Sequence, residues 1–383
     1  MAENIFDVMH FCSKFSKILN FNFVTFEKFQ KNKYRARTTF CDVLRLIIGI
    51  LLSSIMLIIV SERALELSSR SIIFEISTFM FTRIVVLNVI FVMLQIFFYR
   101  HEYFNILNNI QKIDKKLMLI GVTRNYNKDR LTCNKYLTIV EILIVIDMTF
   151  GYIIVRILNV RYNTMPLDDP FFLITMGIPM SYNVLFLIIV YNLHDRLKLI
   201  AENFEISKFK NLHKCFIRNK IELTMIMLDK ISDTIMSINK FYTFNTMIIL
   251  LKFTIINTMS TFLAYDVFVH NLGLDDIILA IGGYSYSLIL GISCILIFFY
   301  TCFISKLFDK SFIQILDLKM KIRDEKICKQ TFLALLQAQN YQKEISCGLF
   351  VLCWPQLFAM IVTIFNYIVV MVQFDKMILN NKF

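Results

Sequence analysis

The sequence predicts an all-α membrane protein with seven transmembrane helices, a cytosolic N-terminus and an extracellular C-terminus. Of its 383 residues 57% are hydrophobic, and the mean hydropathy is +0.61, which excludes an ordinary soluble globular domain. The apolar residues are concentrated in seven stretches long enough to cross a bilayer. The loops between these stretches are alternately rich and poor in lysine and arginine.

The seven predicted spans follow from length and composition, since a spanning helix needs about 20 mostly apolar residues. They are residues 44–60, 72–98, 137–160, 171–191, 244–269, 277–304 and 348–374. The first span is the shortest, and the polar, basic segment before it favours a signal anchor over a cleavable signal peptide.

The distribution of basic residues predicts the topology. Segments 1–43, 99–135, 192–242 and 305–347 hold 7, 8, 9 and 8 of the 41 lysines and arginines. The positive-inside rule places these four segments in the cytosol, so an odd number of crossings leaves the tail 375–383 outside the cell. The net charge of +12 therefore reflects orientation and attraction to anionic lipid, and nucleic-acid binding is not expected.

The fourth, fifth and sixth helices are predicted to extend beyond the membrane into a cytosolic anchor bundle. Neither Gly nor Pro occurs between Met180 and Leu272, and the sixth span continues past Ile304 without a helix breaker. Ahead of the fifth span, apolar residues recur every three or four positions, which predicts a helical packing face. This stripe consists of Ile217, Ile221, Met225, Leu228, Ile231, Ile235, Ile238 and Tyr242.

Enzymatic chemistry is not predicted. The sequence contains no His-Glu-x-x-His, paired-cysteine, phosphate-loop or nucleophile-elbow motif. His270 and Asp275 have the spacing of an acyltransferase dyad, but they fall in a short outer loop without a visible partner. We therefore expect no catalytic residue, no metal site and no cofactor.

Four charged residues lie within the predicted second and third helices, where an unpaired charge is costly. The antiparallel course of these helices places Glu75 level with Arg156, and Arg83 level with Asp147. Two interpretations remain open: buried ion pairs that set the helix register, or a polar ligand pocket that opens outward.

A pocket for a small organic ligand is predicted in the outer halves of helices two to six. Aromatic walls with a few polar groups are typical of such sites. The candidates are Glu75, Thr78, Phe79, Arg83, Asp147, Tyr152, Arg156, Thr175, Asn257, Tyr265, Tyr284 and Tyr286.

The last span carries the most specific motif in the chain. It contains Asn366 and Tyr367, then five apolar residues, then Gln373 and Phe374. This pattern resembles the signature of insect gustatory receptors, which is Thr-Tyr, five hydrophobic residues and Gln-Phe at the end of the seventh helix. Asn366 stands where the family usually has Thr.

The resemblance implies a ligand-gated, non-selective cation channel of four subunits in the plasma membrane of sensory neurons. Span 348–374 would line the pore, residues 44–304 would hold the ligand pocket, and segment 305–347 would complete the anchor. Gln373 and Phe374 would lie near the outer constriction, with Val370 and Tyr367 below them. The implied partners are a small-molecule tastant, membrane lipid, permeating cations and further copies of this chain or of related receptors.

Two other function classes remain as alternatives. An odorant receptor would share the architecture but usually lacks this terminal motif. A secondary transporter would need broken helices in repeated halves, whereas Gly and Pro occur within three residues of each other inside a span only at residues 177–179. The single Trp354 lies outside the predicted pocket, which slightly favours a bitter compound over a sugar as the ligand.

The topology predicts the accessibility of the two chain ends. An epitope tag after Phe383 should be stained on intact cells, whereas a tag before Met1 should be stained only after permeabilisation. Staining of both tags only after permeabilisation would show that the assignment from loop charge is wrong.

Overall fold

A computed structural model describes residues 4–9, 25–30, 33–37, 40–66, 72–162, 169–203, 214–270, 274–321 and 340–380, with a few single positions between 325 and 336. In several stretches, including 72–82 and 169–176, the description covers the backbone only.

The named secondary-structure elements of the described chain are helices, apart from two antiparallel strands, β1 (Thr25–Gln30) and β2 (Lys33–Arg37). A helical turn at residues 5–9 precedes them. The long helices are α1 (Phe40–Glu66), α2 (Ile72–Phe98), α3 (Arg100–Leu119), α4 (Tyr126–Tyr162), α5 (Asp169–Asn203), α6 (Lys214–His270), α7 (Leu274–Lys321) and α8 (Trp354–Asn380).

The first six predicted spans each fall within one of the helices α1, α2, α4, α5, α6 and α7. Pro179 lies inside α5 without ending it. The helix α3 was not anticipated as a separate element. It follows α2 after a bend of 63° at Tyr99, and its apolar face packs along α6.

The seventh span begins later than predicted. Its helix starts at Trp354 and not at Gly348, because Gly348 has a φ of +86° in a tight turn that a helix cannot contain. Pro355 follows within the first helical turn, where its missing N–H costs nothing. The same helix continues to Asn380, so most of the predicted tail 375–383 is helical.

Membrane-spanning character is clearest in three described segments. Cys215–Val269, Ser287–Asp317 and Trp354–Phe374 are long and apolar enough to cross a bilayer. A fourth is added if Arg83–Phe98 and Arg100–Leu119 are counted as one bent span.

Helix α6 is the centre of the packing. It runs for 57 residues, about 85 Å at 1.5 Å per residue, and it contains neither Gly nor Pro. Helices α2, α3, α5, α7 and α8 all pack against it. The predicted apolar stripe from Ile217 to Tyr242 is buried at every position, which confirms it as a packing face.

A buried ion pair joins α3 to α5 beyond the apolar spans. The Arg196 guanidinium donates to Asp114 Oδ2 at 2.9 Å, and both side chains are fully buried. Arg196 also donates to the side chain and the carbonyl of Asn192, 2.9–3.0 Å away. Burial, followed by the nearby Asp114 carboxylate, raises the pKa of Tyr126 well above its usual value. The sequence alone does not reveal this cluster, because its members are far apart in the chain.

Arg124 forms a second charged contact beside this cluster. It donates to Asp129 at 2.8 Å and to Asp195 at 2.6 Å. Burial alone would lower the pKa of Arg124, but these carboxylates hold it above its usual value. The two ionic contacts tie the start of α4 to the end of α5.

Removing one partner of the buried pair should destabilise the protein strongly. Asp114→Asn leaves the Arg196 charge buried and uncompensated, which costs roughly 3–5 kcal/mol of the free energy of unfolding. The measurement is the thermal unfolding midpoint of the receptor purified in detergent. The control is Lys198→Met, which breaks an exposed pair with Glu202 on α5 and should change little. Equal midpoints for the two variants would contradict the expectation.

Candidate functional site

Helix α8 contacts the rest of the chain through one narrow stripe. Leu357, Ile364 and Met371 are the buried large apolar residues of this helix, and they recur every seven residues. Seven residues are close to two helical turns, so these side chains form one line that faces α6 and α7. Most other described side chains of α8 are exposed in the single chain.

Two amide side chains lie on the opposite face of α8. Asn366 follows Leu357 by nine residues, and Gln373 follows Ile364 by nine residues. Nine residues are two and a half turns, so each amide points directly away from a buried residue. Both side chains are exposed. An amide facing hydrocarbon would lose its hydrogen bonds to water, so this face favours water or a polar neighbour over lipid.

The remaining predicted pore residues lie beside this amide face. Tyr367, Val370 and Phe374 are spaced by three and four residues, which places them on one flank of the helix. Their exposed fractions are 57%, 42% and 46%, so none is covered by the described part of the chain. The four predicted pore and gate residues thus occupy a surface that the described part of the chain leaves open.

In the predicted ligand pocket, the described side-chain contacts lie between α6 and α7. Ser287 Oγ donates to Asn257 Oδ1 at 2.6 Å, and Asn257 Nδ2 donates to the Phe253 carbonyl at 2.7 Å. One turn along α7, a Cβ on Gly291 would lie 3.0 Å from the Phe253 ring. Glycine therefore allows close packing of the two helices here. Ser287 was not predicted, and its short contact with the half-buried Asn257 amide is visible only in the fold.

The other pocket candidates are incompletely described. Tyr265 and Tyr284 are half-buried, and the Arg83 side chain is exposed. The remaining side chains lie outside the described residues: Glu75, Thr78, Phe79, Asp147, Tyr152, Arg156, Thr175 and Tyr286.

The packing of the second and third spans bears on the predicted ion pairs. Helix α2 packs mainly against α1, α5 and α6, whereas α4 packs mainly against α5 and α7. This arrangement lends no support to pairing of Arg83 with Asp147 or of Glu75 with Arg156. Both pairs stay predictions.

Metal chemistry finds no support in the described side chains, where no group of three His, Cys, Asp or Glu is placed to hold an ion. His270 and Asp275, whose spacing matches an acyltransferase dyad but which were not predicted to be catalytic, have side chains outside the described residues.

The fold defines a membrane protein that is built of long helices. The last of these helices has a partly polar face that the described residues do not cover. The sequence matches the family model described as 7tm chemosensory receptor over residues 9–378. The chain therefore belongs to the 7tm chemosensory receptor family and is a multi-pass membrane protein. This membership confirms the family resemblance at the level of chemosensory receptors, and it confirms that the protein is not an enzyme.

Two solved structures share the fold. The insect olfactory receptor OR5 from Machilis hrabei superposes with a TM-score of 0.69 at 13% identity, over 96% of this chain and 99% of that one. The same receptor in complex with eugenol gives a TM-score of 0.63 at 12% identity, with the same coverage. No curated protein is significantly similar to the chain in sequence.

The polarity of α8 predicts which positions meet water. In a cysteine scan, Asn366→Cys and Gln373→Cys should react with a membrane-impermeant thiol reagent, because the amide face favours an aqueous boundary. Ile364→Cys and Met371→Cys should be protected by α6 and α7, and labelling of the parent chain sets the background. Equal reaction at all four positions, or at none, would contradict this orientation of the helix.

Proposed function

We propose that the protein is a gustatory receptor that works as a ligand-gated, non-selective cation channel in the plasma membrane of sensory neurons. Four copies surround one central pore, and each contributes α8 to its wall. The N-terminus lies in the cytosol and the C-terminus outside, as the loop charges predict. The ligand is a small organic tastant that enters each subunit from the outside.

The placement of Asn366 and Gln373 opposite the buried stripe of α8 carries this proposal. Amides that point away from their own subunit at membrane depth need water or a partner. A ring of four Gln373 side chains around an axis supplies both, because amide oxygens can replace part of the hydration shell of a cation. Phe374, on the neighbouring flank, can close the same ring by excluding water.

Association of subunits follows from the exposed surface of α8. Phe358, Phe365 and Tyr367 have exposed fractions of 57–63%, so this helix has large side chains free to pack against a neighbouring copy or lipid. The long extensions of α5, α6 and α7 provide further contact surface beyond the membrane. A homotetramer, or a heteromer with related receptors, fits these features.

The ligand class rests on the pocket candidates and on one relative. Asn257, Tyr265 and Tyr284 combine aromatic surface with a few polar groups, which suits a small organic molecule. The olfactory receptor OR5 from Machilis hrabei, which shares the fold, has been solved with eugenol bound. Sugar-binding pockets often use a tryptophan that stacks on the sugar ring, but the single Trp354 lies outside the predicted pocket. We therefore favour a bitter compound over a sugar.

An odorant receptor is the second candidate, since the solved relatives are olfactory receptors with the same fold. The pattern from Tyr367 to Gln373 and Phe374 favours the gustatory assignment. A secondary transporter is less well supported, because α5 runs unbroken through Pro179 and the one bent pair among the described helices, α2 and α3, has no counterpart there.

Recording from null cells tests the channel and its pore together. Cells that express the protein should show cation currents evoked by members of a panel of bitter compounds, sugars and odorants. Gln373→Ala should change the relative permeability to cations about 2- to 10-fold, because one ring of oxygen ligands is lost. The matched control is Gln356→Ala in the first turn of the same helix, which should leave the permeability ratio unchanged.

The outcomes separate the candidates. Uptake without channel-like unitary currents would favour the transporter. Currents that require a co-expressed partner receptor would favour the odorant assignment. If Gln373→Ala leaves the relative ion permeability of the current unchanged, Gln373 does not line the pore.

A further inference from the structure

The segment that leads into α8 forms a small hairpin, here called the strap and defined as residues 342–352. The Leu352 N–H donates to the Ile345 carbonyl at 2.9 Å, and the Cys347 N–H donates to the Phe350 carbonyl at 3.0 Å. Gly348 makes the turn at a φ of +86°. The side chains of Ile345, Cys347 and Leu352 are buried, so the strap is packed into the protein.

One face of α6 binds the backbone of the strap. The Gln342 N–H donates to Ser232 Oγ at 2.8 Å. Seven residues further along α6, Asn239 makes two bonds: its Oδ1 accepts from the Ser346 N–H at 3.0 Å, and its Nδ2 donates to the Glu344 carbonyl at 3.1 Å. The Asn239 amide thus serves the strap as a neighbouring β-strand would, with one donor and one acceptor.

The strap also approaches α6 too closely for a side chain. A Cβ on Gly348 would lie 2.7 Å from Thr243 Cγ2, which is nearer than real Cβ atoms come. Thr243 is four residues after Asn239, one turn along the same face. Glycine at position 348 therefore serves both the turn and the contact with α6.

Helix α7 holds the other end of the strap. Thr301 Oγ1 donates to the Leu352 carbonyl at 3.0 Å, two residues before α8 begins at Trp354. The first turn of α8 is therefore anchored to α6 and α7 through the strap. Beyond this point, α8 has only its narrow stripe of contacts with the same two helices.

We propose that Asn239 is a positioning residue for α8. By holding the strap against α6, it sets where α8 begins. It thereby sets how far the amide face of α8, formed by Asn366 and Gln373, lies from the pore axis. The inference rests on the proposed channel function for its consequence but not for its geometry. An asparagine is required because aspartate lacks the donor and alanine lacks both groups. The role matters to gating because α6 also carries Asn257 of the predicted ligand pocket.

The single tryptophan provides a readout that needs no channel activity. Trp354 is the only Trp in the chain and the first residue of α8, so all tryptophan fluorescence reports the start of this helix. In the purified full-length receptor, Asn239→Ala should shift the Trp354 emission to longer wavelength and increase its quenching by acrylamide. Asn219→Ala, an exposed asparagine on the same helix, is the matched control and should change neither.

The second readout is current in the same expression system. Asn239→Ala should shift the balance of open and closed channels about tenfold through the loss of two hydrogen bonds. The shift should appear in ligand-free current or half-maximal ligand concentration, with unchanged relative ion permeability. A change in the amount of protein at the surface, with normal gating per channel, would show a merely structural role and overturn the proposal.

A pair of variants guards against misfolding of Asn239→Ala. Gly348→Ala should disturb the strap by contact with Thr243, and Thr243→Ser removes the Cγ2 atom that it meets. Partial recovery of Trp354 fluorescence in the double variant would support the role of the strap contact with α6. If the Trp354 fluorescence does not recover, backbone strain at position 348 explains the effect of Gly348→Ala by itself. That outcome would count against the proposal.

The two readouts keep the proposals apart. If Trp354 responds to Asn239→Ala but neither the parent nor any variant conducts, the positioning role stands and the channel function fails. If the parent conducts and Trp354 ignores both Asn239→Ala and Gly348→Ala, the positioning role is wrong while the channel function stands.

Discussion

The absence of water inside the bilayer is the constraint on which this structure depends. Each backbone amide at membrane depth needs a partner within the chain, so the spans are helices and their breakers lie at the ends or inside packed helices. The same constraint applies to polar side chains, which also need hydrogen-bonding partners at membrane depth. Asn366 and Gln373 are notable because they are amides on a face of α8 that the described residues do not cover.

Helix α6 connects the other helices, because five of them pack against it. Its apolar stripe is buried along the N-terminal half, and Asn257 ties its C-terminal half to Ser287 of α7. Because α6 lacks Gly and Pro over 57 residues, the two regions belong to one continuous element. By contrast, α8 is held by a line of three buried side chains and by the strap at its start. The element proposed to line the pore is thus the most weakly attached of the helices around α6.

Outside the apolar spans, charged side chains form ion pairs that join neighbouring helices. Beyond them, Arg196 and Asp114 are buried together and joined by a hydrogen bond, which fixes α3 against α5. Arg124 bridges two carboxylates beside that pair. Such contacts are specific and costly to break, so they hold α3 and α5 in a fixed relation to each other.

The sequence alone determined the spans, the packing face of α6 and the family motif of α8, because hydrophobic length, helical period and a short motif are local properties. It misplaced the start of the last helix, since the segment with the turn at Gly348 is held against α6 by Asn239, more than a hundred residues away. It also missed the Asp114–Arg196 pair and the bonds from Asn239 to the strap, whose partners are 82 and 105–107 residues apart. Only the tertiary structure decided these contacts, and with them which face of α8 is buried, because a residue's own neighbours in sequence carry no record of what packs against it.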